Sequence, residues 1–154
     1  MKLVIGSDCL DRAREFFETA GAYGREGTGL LVAKPQGESL RVTQFIAPDQ
    51  ITGRDSCWVE VTLKGKLEIA AALAPDELIA ARIHSHPSEA FHSQVDDRNP
   101  GLTAEGAWSI VVPYYGLGLR RGIGACAVYQ RENGKWRELE SHEISTGISV
   151  VHVS

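Results

Sequence analysis

The stretch that decides the fold reads Leu78-Ile79-Ala80-Ala81-Arg82-Ile83-His84-Ser85-His86-Pro87. An apolar segment leads directly into two histidines that are separated by one residue. We predict a strand over residues 78–83 that continues into the histidines, because Pro87 favours an extended backbone at His86. Alternate side chains of a strand point to the same face of its sheet. The sequence therefore predicts two imidazoles side by side at the end of a buried strand.

The segments around this strand predict an α+β fold, in which a central mixed β-sheet is flanked by two or three helices. Apolar residues recur at helical spacing in residues 9–20, where Ser7 is the expected N-cap, and a second helix is expected at 67–73 before Pro75. Strand patterns occupy 30–33, 40–46, 58–62, 108–112 and 144–153, and a hairpin joins 124–130 to 136–139. No repeat or linker interrupts this order, so we expect residues 1–154 to form one domain.

Composition and net charge argue against several classes of function. The 154 residues include 43% hydrophobic and 23% charged side chains, and the net charge is −4. This acidic balance argues against nucleic-acid and anionic-membrane partners, which require a basic face. The first residues lack the pattern of a secretory signal, so we expect a cytoplasmic protein. Cys9, Cys57 and Cys126 form no CxxC pair, which argues against a cysteine-based zinc site and a disulfide framework.

The two neighbouring histidines indicate a metal site. Adjacent imidazoles suit tetrahedral zinc, and the small and polar residues after Pro87 can return a carboxylate as a third ligand. Such a set leaves the fourth position to water, as in catalytic zinc sites. The alternative is that His84 and His86 lie on a solvated strand face, or bond to the backbone within the core. The strongly apolar strand before His84 favours the metal interpretation.

The same segment resembles the JAMM (JAB1/MPN/Mov34) metalloprotease family. The resemblance rests on His84-Ser85-His86-Pro87, on the S-x-x-D run Ser93-Gln94-Val95-Asp96, and on Glu26 ahead of the glycine-containing strand at 27–32. It covers residues 7–130 and implies a JAB/MPN domain with a cytidine-deaminase-like architecture. The run after Pro87 is most similar to bacterial members. Those members accompany ubiquitin-like conjugation systems, including antiphage operons that encode E1-like and E2-like enzymes.

The resemblance implies a role for each site residue. His84, His86 and Asp96 would hold Zn²⁺, Glu26 would be the general base, and Ser93 would donate a hydrogen bond to the oxyanion. The family's usual spacing from the second histidine would select Asp97 instead. The S-x-x-D register favours Asp96, and Asp97 would then be a supporting group. Without the resemblance, Glu26 would be interpreted as a solvated loop charge and Ser93 as a turn cap.

The implied function is hydrolysis of the peptide or isopeptide bond after the C-terminal tail of a ubiquitin-like protein, by deconjugation or precursor processing. Two alternatives stay open, namely an inactive MPN-like scaffold and a protease that trims the C-terminus of a sulfur-carrier protein. Other HxH hydrolases fit poorly. Metallo-β-lactamases require an aspartate where this chain has Ser88, zinc deaminases require a PCxxC motif, and amidohydrolase barrels require a longer chain.

Overall fold

The computed structural model of the protein describes residues 1–52, 59–91, 102 and 104–154. Its strands are β1 Lys2–Gly6, β2 Thr28–Gln36, β3 Ser39–Ile46, β4 Gln50–Thr52, β5 Val59–Val61, β6 Leu78–Ser85, β7 Trp108–Val112, β8 Ala127–Glu132, β9 Lys135–Glu138 and β10 Ile148–Val151. The α-helices in these ranges are α1 Ser7–Gly21, α2 Leu63–Ala72 and α3 Ser141–Gly147, and 3-10 segments occupy Tyr114–Arg121 and Ile123–Ala125. The fold is mixed α/β.

A central sheet organises the described residues. Eight strands lie in the order β10-β1-β3-β2-β6-β7-β8-β9, and β4 pairs with β5 in a separate ribbon. β1 runs parallel to β10 and β3, and β6 runs parallel to β7, whereas the other neighbours in the large sheet are antiparallel. The predicted mixed sheet is confirmed. β6, the strand that carries the histidines, therefore lies inside the sheet between β2 and β7.

The main core lies between α1 and one face of this sheet. α1 buries Cys9, Leu10, Ala13 and Phe17, a spacing that places these side chains along one side of a helix. Phe17 is fully buried and meets Phe45 of β3 in a T-shaped contact, with ring centroids 6.1 Å apart. Burial of one such side chain contributes about 1.5–3 kcal/mol. All five residues of β7 are buried, as expected for a central strand.

The two ends of the described chain differ from the sequence predictions. Gly6 rather than Ser7 is the N-cap of α1, because Gly6 has an extended backbone and Ser7 is already helical. The Ser7 hydroxyl accepts a hydrogen bond from the N–H of Val153 at 2.8 Å instead of capping the helix. The stretch 144–153 was predicted as a strand throughout, yet α3 occupies its first residues and β10 follows. A capping box causes this difference, since Glu140 and Glu143 bond to each other's backbone N–H groups.

The other boundaries shift for local reasons. α2 begins at Leu63, earlier than the predicted 67, because the Thr62 hydroxyl caps it by accepting from the N–H of Gly65 at 3.1 Å. The hairpin forms as predicted around Asn133 and Gly134, but its first strand starts at Ala127 rather than 124, after a 3-10 turn. None of the helices in the described ranges has both the length and the apolar character needed to cross a bilayer.

Candidate metal centre

His84 and His86 lie at the end of β6, in the middle of the sheet. His84 is opposite Thr28 of β2 and Val111 of β7. The side chains are buried, with 8% of His84 and 5% of His86 exposed. Their rings are neighbours, with centroids 5.2 Å apart. The structure therefore brings together the two imidazoles that the alternation of a strand predicts.

The separation of the two rings can be compared with the requirements of a shared zinc ion. Imidazole nitrogens bind zinc at about 2.0–2.1 Å, and a tetrahedral angle between two such ligands places their ring centroids about 5 Å apart. The observed 5.2 Å matches this value. Both groups are also of the donor type that zinc prefers. The residues present fit the ion.

Glu26 is tied by its backbone to the histidine-bearing strand. The N–H of Gly27 donates to the Ser85 hydroxyl at 2.9 Å, and the N–H of Ser85 donates to the Gly27 carbonyl at 2.9 Å. The Thr52 hydroxyl donates to the Glu26 carbonyl at 3.2 Å. Gly27 also allows α1 to approach this segment, since a Cβ there would lie 2.8 Å from Cε1 of Phe16. These bonds place Glu26 beside the segment from His84 to His86.

Ser85 is a site residue that sequence reasoning missed. Ser85 lies between the two histidines in sequence. Its side chain is fully buried and points to the opposite face of the sheet from theirs. Its hydroxyl links β6 to the chain segment that carries Glu26, across 58 positions of sequence. The small polar residue inside HxH was visible in the sequence, but its partner could be known only from the pairing of β2 with β6.

A cleft opens next to Glu26. Its volume is about 660 Å³, and it lies between the last turns of α1 and strand β4. The walls combine Phe16 and Tyr23 from the α1 side with Ile51 of β4, and Glu26 lies at its edge. An aromatic side chain also lies beside the histidines. The ring of Phe91 packs edge-on against that of His86, with ring centroids 4.9 Å apart. The surroundings of the site can therefore accept apolar groups as well as polar ones.

Three predicted site residues lie outside the described ranges, namely Ser93, Asp96 and Asp97. Their assignment stays a prediction. Within residues 1–52, 59–91, 102 and 104–154, no group of three or more histidine, cysteine, aspartate or glutamate side chains is arranged to hold a metal ion. A third ligand from the segment after Phe91 is the arrangement that the sequence predicted.

The described cysteines lie in the hydrophobic core. Cys9 and Cys126 are both buried and free of disulfides. Burial raises the pKa of the Cys126 thiol to about 12, so this side chain stays protonated at neutral pH. A protonated thiol is a poor nucleophile and a poor metal ligand. Cys57 lies outside the described residues.

The chain is similar to known proteins both in sequence and in fold. The chain is 27% identical over 146 residues to "Probable metalloprotease y4jG" of Sinorhizobium fredii, which covers 93% of this chain and 90% of that protein. The fold is similar to the solution structure of protein DSY2949 from Desulfitobacterium hafniense, with a TM-score of 0.61 and 13% identity over 98% of this chain and 94% of the other. No protein-family model matches the chain. The sequence similarity thus extends across the candidate metal centre to a protein described as a metalloprotease.

Proposed function

We propose that this protein is a zinc-dependent peptidase of the JAMM type, with residues 1–154 forming one JAB/MPN-like domain. One observation supports the proposal most strongly. Two buried imidazoles lie 5.2 Å apart on one face of β6, and two backbone–Ser85 hydrogen bonds tie the Glu26 segment to the same strand. The similarity to a metalloprotease over most of both chains supports peptidase activity in general.

The proposed mechanism assigns a task to each residue. His84, His86 and Asp96 would hold the ion. When bound, zinc would supply a Lewis acid and make water acidic enough to yield hydroxide near neutral pH. The Glu26 carboxylate takes the proton of the attacking water and later delivers it to the leaving amine, which typically contributes about 10²–10⁴ in rate. The Ser93 hydroxyl donates a hydrogen bond to the carbonyl oxygen as charge develops on it.

The proposed substrate is the C-terminal tail of a ubiquitin-like protein, cut at the peptide or isopeptide bond that follows it. The cleft between α1 and β4 supports this choice, since its volume of about 660 Å³ beside Glu26 suits a short extended segment. An extended tail can also add to a strand edge, where backbone hydrogen bonds give affinity. We further propose a cytoplasmic location and E1-like and E2-like partners from the same conjugation system.

The first experiment measures zinc per chain by elemental mass spectrometry. The wild type and Asp97→Ala are expected to hold about one zinc, and His84→Ala and Asp96→Ala to lose it. Retention in Asp96→Ala with loss in Asp97→Ala would move the third ligand by one residue. A folded wild type without zinc, even after dialysis against the metal, would overturn the peptidase proposal and favour a binding scaffold.

The second experiment measures cleavage of fusions to ubiquitin-like and sulfur-carrier proteins. Glu26→Gln keeps the size of the side chain and removes the base, so turnover is expected to fall about 10²–10⁴-fold while zinc stays bound. Glu15→Gln, on the exposed side of α1, is the matched control and is expected to retain full turnover. Equal turnover in both variants would contradict the role of Glu26. Preference between the two fusion types would identify the substrate class.

A further inference from the structure

The backbone of His86 is held on both sides by the last residue of β7 and the chain segment that follows it. Its N–H donates to the Val112 carbonyl at 2.8 Å, which extends the parallel ladder between β6 and β7 by one bond. Its carbonyl accepts from the N–H of Tyr115, also at 2.8 Å. Both peptide groups of His86 are therefore fixed by one neighbouring segment. A residue fixed in this way has a defined Cα–Cβ direction.

The segment that makes these bonds contains a costly turn. Residues 114–116, here named the tyrosine turn, have left-handed backbones, with φ of 55° at Tyr114, 54° at Tyr115 and 94° at Gly116. The N–H of Tyr114 donates to the Ser88 carbonyl at 2.9 Å, so the turn also holds the chain beyond His86. A left-handed residue other than glycine costs on the order of 1–3 kcal/mol. Asparagine and glycine adopt this conformation more easily than tyrosine.

The last turns of α1 keep the tyrosine turn in place. A Cβ on Gly21 would collide with Cβ of Tyr115, and a Cβ on Gly116 would lie 2.6 Å from Cβ of Phe17. Phe17 is itself fully buried in the core. The turn and the last turns of α1 are thus in close contact. The main core and the backbone of His86 are connected through this contact.

We propose that the tyrosine turn is a positioning device for His86 as a metal ligand. The inference rests on the zinc site of the proposed function and adds to it residues that touch neither the ion nor the substrate. A ligand must be held within about 0.5 Å of its productive position, and groups that orient a metal-binding histidine affect metal affinity about 10–100-fold when they are altered. Two N–H groups aimed at the His86 and Ser88 carbonyls provide such support, at the cost of backbone strain.

A substitution series at Tyr114 tests this role. Its side chain is 52% exposed, so changes there remove little packing. Tolerance of the left-handed conformation falls from Tyr114→Asn through Tyr114→Ala to Tyr114→Val. We expect the asparagine variant to bind zinc at least as tightly as the wild type and the valine variant about tenfold more weakly. The measurements are zinc dissociation constants by chelator competition and the visible spectrum of the Co²⁺-substituted protein, which reports ligand geometry.

Leu117→Asn and Leu117→Val provide the matched control. Leu117 is 50% exposed and has no left-handed backbone, so this pair should show no difference in zinc affinity. Equal zinc constants and Co²⁺ spectra along the Tyr114 series, with changes only in the unfolding temperature of the apoprotein, would overturn the positioning role. If the valine variant does not fold, the alanine variant is compared with asparagine in the same way. A wild type that binds no zinc would overturn both proposals, whereas a zinc-binding wild type with a flat series would overturn this one alone.

Discussion

Two turns in the described part of the chain place successive residues in the left-handed region, one beside the histidines and one at the tip of the β8–β9 hairpin. In the hairpin these residues are Asn133 and Gly134, with φ of 51° and 76°. Asn-Gly is the dipeptide that a two-residue hairpin loop favours, because both residue types tolerate this backbone. In the tyrosine turn the same conformation is adopted by two tyrosines. The hairpin turn follows from its own residues, whereas the tyrosine turn runs against residue preference and packs against the last turns of α1.

The two turns differ in whether the local preference of their residues agrees with the backbone that is observed. Local preference and final structure agree at the hairpin, and such agreement is the general rule for natural sequences. They disagree beside His86, and strain of this kind tends to be concentrated at functional sites. The contrast can be tested by changing each turn, or the groups that hold it, and asking whether stability alone changes or metal binding and catalysis change as well.

The largest effect is expected from crowding the support of the tyrosine turn. Gly21→Ala places a methyl group against Tyr115, and overpacking of this kind costs about 1–3 kcal/mol. We also expect zinc affinity to fall about tenfold, since the turn carries the strain to His86. Gly124→Ala is the matched control, because a Cβ there meets nothing within 4 Å. Chemical denaturation and chelator competition measure the two effects. A Gly21→Ala variant that loses stability and keeps wild-type zinc affinity would contradict the link.

The next largest effect is expected from removing the hydrogen bond that joins β6 to the segment of Glu26. Ser85→Ala leaves the buried N–H of Gly27 without its acceptor, which costs about 2 kcal/mol of stability. Because the Glu26 segment loses an anchor, turnover is expected to fall while zinc remains bound. Ser109→Ala is the comparison, since this equally buried hydroxyl accepts from Nε of Arg82 at 2.9 Å and is not tied to Glu26. Equal turnover in the two variants would show that the Ser85 bond supports the fold alone.

A smaller effect is expected at the hairpin turn itself. Gly134→Ala forces a Cβ into a backbone with φ of 76° and should destabilise the protein by about 1 kcal/mol. Zinc affinity and turnover should not change, because no hydrogen bond among the described residues joins this turn to the histidine segment. Thermal unfolding and zinc titration provide the two measurements. A change in zinc affinity here would break the contrast between the turns.

The smallest effect on stability is expected from removing the ion pairs near the hairpin. Hydrogen bonds from Arg137 lower the pKa of Glu143 to about 2 from an ordinary value of 4.5. A lowered acid pKa stabilises the fold above pH 4.5, and this stabilisation is lost as the pH falls toward 2. Arg137→Gln should therefore flatten the dependence of stability on pH in this window. The groups are solvent-exposed and screened, so the change is expected to be slight, and salt should reduce it further. Urea unfolding of the apoprotein between pH 4.5 and 2 tests it.

Much of the fold could be predicted from local patterns. The bounds of β7 were predicted from its continuous apolar run, and the hairpin turn from Asn133-Gly134. β1 was missed because its apolar run has only three residues and its partners, β3 and β10, are distant in sequence. α3 was missed because Ile144 and Ile148 favour strands, whereas the Glu140–Glu143 capping box decides the helix. Hydrophobic periodicity gives no information about strand pairing between distant segments or about side-chain capping of helices.

The candidate site also combines features that local sequence patterns predict with features that they do not. Alternation along a strand was sufficient to pair His84 with His86, and this pairing is observed. The partner of Ser85 depends on the register between β2 and β6, which no local pattern specifies. The left-handed tyrosines are harder still, because residue preference argues against that backbone. The roles of Ser93 and Asp96 remain predictions.

The position of β1 in the sheet has a consequence for biosynthesis. β1 lies between β3 and β10, so one of its two edges is covered only by a strand from the other end of the sequence. On the ribosome, β1 and β3 emerge long before Ile148. Until β10 arrives, the outer edge of a strand that contains Leu3 and Ile5 presents open N–H and C=O groups, a template for pairing with other chains. Nascent chains and products that stop short of β10 should therefore be targets for chaperones and quality-control proteases.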